Sequence, residues 1–175
     1  MIPSAVTSPS IGATRRWSPR RLGSWALGTL LVLLLAIQLV PYGRDHTNPP
    51  VVAEPAWNSP ETRALFVRAC ADCHSNQTAW PWYSNVAPIS WLIARDVEEG
   101  RKKLNVSMWG QQRNEGSDAA EAVREGEMPL WFYLPLHPEA RLSPAEQQQL
   151  IAGLTATFGG ESGGRGSSEA HGDDD

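Results

Sequence analysis

Residues 22–40, LGSWALGTLLVLLLAIQLV, carry no charge and a single amide, Gln38. As a helix this run is about 28 Å long, against a hydrocarbon core of roughly 30 Å. Few structures accommodate such a segment other than a membrane-spanning helix or a cleaved signal peptide. Signal h-regions are shorter, about 7–15 residues, and end at a small-x-small site. Here the run ends LVPYGRD, with no such site and no cysteine for lipid attachment. The segment therefore predicts one uncleaved transmembrane anchor. Arg15, Arg16, Arg20 and Arg21 precede it, and every Asp and Glu follows residue 44. By the positive-inside rule the N-terminus is expected in the cytoplasm and residues 41–175 on the exported side. Trp25 and Tyr42 lie near the two ends, where amphipathic rings favour the interface.

The flanking segments organise the rest. Residues 1–21 are a Ser/Pro/Arg stretch without apolar period, expected as a disordered cytoplasmic tail. Residues 41–54 are Pro-rich and expected as an extended spacer. Residues 159–175 are rich in Gly, Ser and acidic groups and cannot bury a core. The folded domain is expected over 55–158. From residue 41 onward there are 11 basic and 19 acidic residues, a balance of -8. An acidic domain is a poor binder of nucleic acid, which requires basic surface against phosphate. The membrane and an unspecified redox protein remain as expected partners.

Within 55–158 the signals are helical. Ser59-Pro60-Glu61 opens a helix, with Leu65, Phe66, Ala69 and Cys70 on one face. Pro88 starts a second, with Ile89, Leu92, Ile93 and Val97 in a stripe. Ser117-Asp118 begins a short third helix before Gly126. Ser143-Pro144-Ala145-Glu146 is a capping box leading Leu150, Ile151, Leu154 and Phe158. No segment alternates, so the expected class is all-α: a small helical domain preceded by a single transmembrane helix.

The only two cysteines stand in Cys70-Ala71-Asp72-Cys73-His74. Three chemistries use such a set. A redox dithiol usually opens a helix after a strand in a βαβ setting, and no strands are predicted here. A structural zinc site requires four N or S ligands, and His46, His137 and His171 lie far from this cluster in sequence. A disulfide across so small a loop would be strained. The c-type haem reading uses all three residues: two thiols form thioethers to the vinyl groups and His74 ligates the iron. Capture requires reduced thiols on an exported chain, which the anchor provides.

A single histidine leaves the sixth position of the iron open. Met128, in Gly126-Glu127-Met128-Pro129, is read as the distal ligand on a helix-ending loop. Met108 is read as packing. His137 is the rival, and would give a bis-His iron of lower potential. Trp80, Trp82, Tyr83, Trp91, Trp109, Trp131, Phe132 and Tyr133 are expected to wall the macrocycle, a role that overlaps with ordinary core. Arg95, Arg101, Lys102 and Lys103 are candidates for haem propionates, although the run 98–103 also reads as a solvated helix face. A backbone carbonyl near Pro81 or Pro88 is expected to accept the imidazole N–H of His74.

The order of these motifs resembles the bacterial haem-binding domain family of anchored, cytochrome-c-like proteins. The resemblance covers about Ile37 to Phe158 and rests on particular residues. They are Asn48-Pro49-Pro50, Cys70-Ala71-Asp72-Cys73-His74-Ser75, Thr78-Ala79-Trp80-Pro81-Trp82-Tyr83-Ser84, Ala87-Pro88-Ile89-Ser90-Trp91, Gly100-Arg101, Leu104-Asn105, Gly126-Glu127-Met128-Pro129, Tyr133 and His137 to Ser143. Met108 departs from the pattern, and the tail after Gly159 lies outside it. The resemblance implies one covalent haem c per chain, its iron, and an N-terminal membrane segment in the bacterial inner membrane. The expected function is electron transfer rather than enzymatic turnover. A haem-based sensor, a small peroxidase-like enzyme with His137 as distal base, and a haem-bearing subunit of a membrane complex are the alternatives.

Overall fold

The computed structural model describes residues 19–111 and 114–159. The tails expected at 1–21 and 159–175 lie outside the described residues, except for Pro19–Arg21 and Gly159. Pro19–Arg21 belong to α1 (Pro19–Ile37), where proline takes the first helical position. From Arg20 to Ile37 the helix has a mean hydropathy of 1.5, and it is long and apolar enough to cross a membrane. Its end is tied off by Gln38, whose amide donates to the Leu34 carbonyl at 3.0 Å.

The second unit begins at Pro41, and its regular elements among the described residues are helices. It contains α2 (Pro60–Ala69), α3 (Ala71–His74), α4 (Ile89–Lys103), α5 (Gly116–Arg124) and α6 (Pro144–Phe158), with 3₁₀ turns at Trp82–Asn85 and Pro138–Ala140. Two starts follow the expected caps. Ser59 accepts from the Thr62 N–H, and Ser143 with Glu146 forms a complete capping box. α5 instead starts at Gly116 with no side-chain cap, and Asp118 stands in its first turn. A carboxylate there still complements the positive end of the helix.

The core lies among α2, α5 and α6. Phe66, Leu150, Leu154 and Phe158 are fully buried, joined by Leu65, Ala120 and Val123. Trp109 stacks on Phe158 at 5.0 Å between ring centroids, and Trp57 tilts against Phe66 and Phe158. α3 packs on α4, and Gly100 is the close-approach residue between them. A Cβ at Gly100 would lie 2.5 Å from the Cys73 carbonyl oxygen. Gly100→Ala is therefore expected to push α4 off the Cys73 turn and cost about 1–3 kcal/mol, outweighing its gain in helix propensity. The midpoint of urea unfolding measures this.

Residues 41–54, whose composition reads as a spacer, turn once at Tyr42-Gly43, contain no helix and are hydrogen-bonded to the rest of the unit. The Val52 N–H donates to the Ser107 carbonyl at 2.9 Å, and Ala53 forms an isolated parallel bridge with Met108. Asn76 donates to the Pro50 carbonyl at 2.9 Å. Proline-rich backbone has carbonyls to offer and few amides, and here side chains of the domain supply the missing donors.

Candidate functional site

The Cys70 carbonyl accepts from the N–H groups of Cys73, at 3.2 Å, and His74, at 3.0 Å. These two bonds close the single turn of α3. Positions i, i+3 and i+4 share one face of a helical turn. The turn thus gathers Cys70, Cys73 and His74 on one wall of a cavity of about 810 Å³, within the usual range for cofactor sites. The cavity lies between that wall, α4, α5 and the segment after α5. Ile89, Leu92, Ile93 and Val97, the apolar stripe of α4, face it, and Met128, Phe132, Tyr133 and His137 line it as well.

His74 Nδ1 lies 3.1 Å from the Leu104 carbonyl oxygen. The carbonyl can only accept, so Nδ1 carries the proton and Nε2 keeps its lone pair. Burial lowers the imidazole pKa, which keeps the ring neutral. The acceptor is therefore not near Pro81 or Pro88, as the sequence reading expected. α4 ends at Lys103, and the extended Leu104 turns its carbonyl back toward α3. The return is fixed by the Val106 N–H, which donates to the His74 carbonyl at 3.0 Å.

Both cysteines are free thiols, half-exposed at the cavity surface. Surrounding protein still desolvates them. Burial pushes both up to about 12, with Asp96 and Asp72 adding to the rise at Cys73. A redox dithiol works through a lowered thiol pKa, the opposite arrangement. Among the described residues no three His, Cys, Asp or Glu side chains converge as metal ligands. Among these residues the zinc alternative lacks its ligand set.

Of the three distal candidates, two reach the cavity. Met128 lines it and packs against the core. The N–H groups of Glu127 and Met128 both donate to the Ala122 carbonyl, hanging this segment from the last turn of α5. His137 also lines the cavity, but both ring nitrogens are engaged. Nδ1 donates to the Tyr133 carbonyl at 3.0 Å, and Nε2 accepts from the Tyr83 hydroxyl at 3.3 Å. The ring is stacked on Tyr133 at 3.7 Å. Met108 does not line the cavity and belongs to the backbone bridge with Ala53.

The expected aromatic wall is only partly formed. Tyr83, Phe132 and Tyr133 line the cavity. Trp80 stacks on His46, Trp109 belongs to the core, and Trp91 stands at the start of α4. Trp82 and Trp131 are 78% and 80% exposed. Among the cations, Arg95 and Lys103 line the cavity, whereas Lys102 pairs with Glu98 and Glu99 on the solvated face of α4. Arg101 turns away to donate to the carbonyls of Ser75 and Thr47, Asn48 Oδ1 and Thr78 Oγ1.

Asp72, between the two cysteines, had no assigned task in the sequence reading. Its carboxylate accepts from the Tyr133 hydroxyl at 2.6 Å and the Ala79 N–H at 2.9 Å. It thereby joins the Cys70–His74 turn to the segment after Met128. Burial and the neighbouring carboxylate push the Tyr133 phenol well above its ordinary range. Tyr133→Phe is expected to cost about 1.5 kcal/mol, the lower end for a hydrogen bond to a charged acceptor, since Asp72 stays half-exposed. Chemical denaturation of this variant checks the value.

The lining combines two thiols, one oriented neutral imidazole, a thioether and a broad apolar stripe, a donor set that fits a flat apolar iron macrocycle. The family described as haem-binding domain matches residues 32–156. The chain belongs to that family. No curated protein and no solved structure matches it. This is a haem-binding protein, and the apolar face of α4, otherwise an unpartnered stripe, has a reason to face inward.

Proposed function

We propose that this haem-binding protein is a membrane-anchored mono-haem c-type electron carrier. In this reading Cys70 and Cys73 form the two thioethers, His74 Nε2 is the proximal ligand and Met128 the distal one. The observation that carries it is the His74 Nδ1 bond to Leu104, which leaves the ligating nitrogen free beside both thiols. Such a bond also fixes the ring plane and raises ligand basicity. Bound haem iron supplies one-electron Fe(III)/Fe(II) chemistry. The residues of the chain hold and shield it: α4 covers it with aliphatic side chains, and Arg95 and Lys103 provide positive charge at the cavity. A peroxide-handling site would need a free imidazole opposite His74. His137, with Tyr83 and the Tyr133 carbonyl on its two nitrogens, is not free. The anchored, exported placement rests on α1 and the arginines before it.

A reduced-minus-oxidised spectrum of the purified full chain tests this reading. Six-coordinate low-spin haem c is expected in both states. A five-coordinate iron that binds carbon monoxide without delay would favour the sensor or enzyme reading instead. Orientation is tested separately with a reporter active only outside the cytoplasm, fused after Phe158. Activity together with retention in washed membranes is expected. An active reporter released as a soluble form beginning near residue 41 would make residues 22–40 a signal peptide.

A further inference from the structure

The segment that follows α5 has a cavity on each side. Leu130, Phe132 and Tyr133 line the one that holds the thiols. Trp131, Leu134 and Pro135 line a second one, of about 530 Å³. Met128 lines both. From Met128 to His137 this wall contains no helix or strand. Its own backbone bonds are two turns, from the Tyr133 N–H to the Leu130 carbonyl and from the Leu136 N–H to the Tyr133 carbonyl. Both sides offer volume to a flexible thioether, so packing alone does not decide which side Met128 takes.

Three ties place the wall. At its start the Ala122 carbonyl accepts from the Glu127 and Met128 N–H groups. At its end the Tyr83 hydroxyl meets His137 Nε2 at 3.3 Å. Between them the Tyr133 hydroxyl donates to Asp72 at 2.6 Å. Of the three, this bond is the one with a charged acceptor, which makes it the strongest. The carboxylate is itself held, since its other oxygen accepts from the Ala79 N–H at 2.9 Å. Asp72 belongs to the turn that carries His74, so the bond runs directly from that turn to the segment that carries Met128.

We propose that the Asp72–Tyr133 hydrogen bond is a latch that keeps the Met128 thioether on the haem side of this wall, with Tyr133 as a positioning residue for the distal ligand. The proposal rests on the reading of Met128 as that ligand. With the latch made, the stretch from Met128 to Tyr133 is fixed at both ends, by Ala122 and by Asp72. With it open, the stretch keeps its start and the more distant tie at His137, and the second cavity can take the thioether. The strength of the latch then sets how often the sixth position opens to a small ligand.

The haem-loaded full chain and its variants are reduced and mixed rapidly with carbon monoxide. At saturating gas the binding rate is set by departure of the thioether. Tyr133→Phe keeps the ring that stacks on His137 and removes the hydroxyl. It is expected to raise that rate about tenfold, the factor for losing a hydrogen bond to a charged acceptor. Asp72→Asn leaves a neutral partner and is expected to raise it about threefold. This second variant carries the test if Tyr133→Phe takes up no haem. Ser59→Ala removes the cap of α2, a comparable loss of stability away from the cavity, and is expected to leave the rate unchanged. In a Met128→Ala background Tyr133→Phe is expected to have no effect. Unchanged rates in both latch variants, an equal rise with Ser59→Ala, or an equal rise in the Met128→Ala background overturns the latch. A parent slower than Met128→Ala keeps the ligand reading even then. A parent that binds the gas as fast as Met128→Ala overturns the ligand reading, and the latch with it.

Discussion

Replacing both Cys70 and Cys73 by alanine is expected to abolish covalent haem completely. These are the only cysteines of the chain, and both line one cavity. No other side chain in the protein can form a thioether to a vinyl group. Each single variant should keep one bond, so haem should persist on a denaturing gel at reduced yield. The double variant should show polypeptide without haem stain, when made beside an intact haem-attachment system. Its His74 ring would still be oriented by Leu104, so some non-covalent haem is expected before denaturation. Haem that survives denaturation in the double variant would mean that attachment occurs elsewhere.

Met128→Ala is expected to have the largest effect on the iron itself. Met128 stands on the cavity wall, whereas Met108 does not line it and His137 is held by Tyr83 and Tyr133. A neutral thioether favours Fe(II) relative to imidazole, and axial ligands are a main lever on a range of about 0.8 V in haem potential. Met128→Ala should open the sixth site, lower the potential and admit carbon monoxide to the ferrous form. Met128→His should give a closed bis-nitrogen site with a lower potential still. The far-red charge-transfer band of ferric thioether ligation should be present in the parent and absent from both variants. Met108→Ala should leave that band unchanged. A parent without the band, or one that loses it only with Met108→Ala, would assign the ligand differently.

The local parts of this architecture were legible because their causes are local. Ser59 and Ser143 cap the helices that their side chains can reach, and the stripe Ile89, Leu92, Ile93 and Val97 is a matter of helical period. The spacing of Cys70, Cys73 and His74 is one helical turn, which a single sequence displays directly. Leu104 was not legible as the partner of His74, since a backbone carbonyl thirty residues away leaves no mark on composition or spacing. The position of Arg101 was not legible for a related reason. Its charge suggested a propionate partner or a solvated helix face, whereas it is half-buried and donates to the Ser75 and Thr47 carbonyls, Asn48 and Thr78. The tryptophans were overcounted as a haem wall, because abundance of a residue type says nothing about which side of a helix or turn it occupies. α3, at four residues, is too short for any periodicity.

The two sides of the cavity differ in how far apart along the chain their supports lie. The thiols and His74 belong to five consecutive residues whose turn is closed by the single Cys70 carbonyl. Met128 hangs from Ala122 at the end of α5, and α5 in turn is packed on α6, the last described helix. In chain order the Cys70–His74 turn precedes Leu104 and Val106, which hold His74, and the Met128 wall depends on helices later still. Maturation would then run in a fixed order. If Cys70, Cys73 and His74 hold the haem as proposed, they could do so before α5 and α6 close, and Met128 would reach the cavity only with that closure.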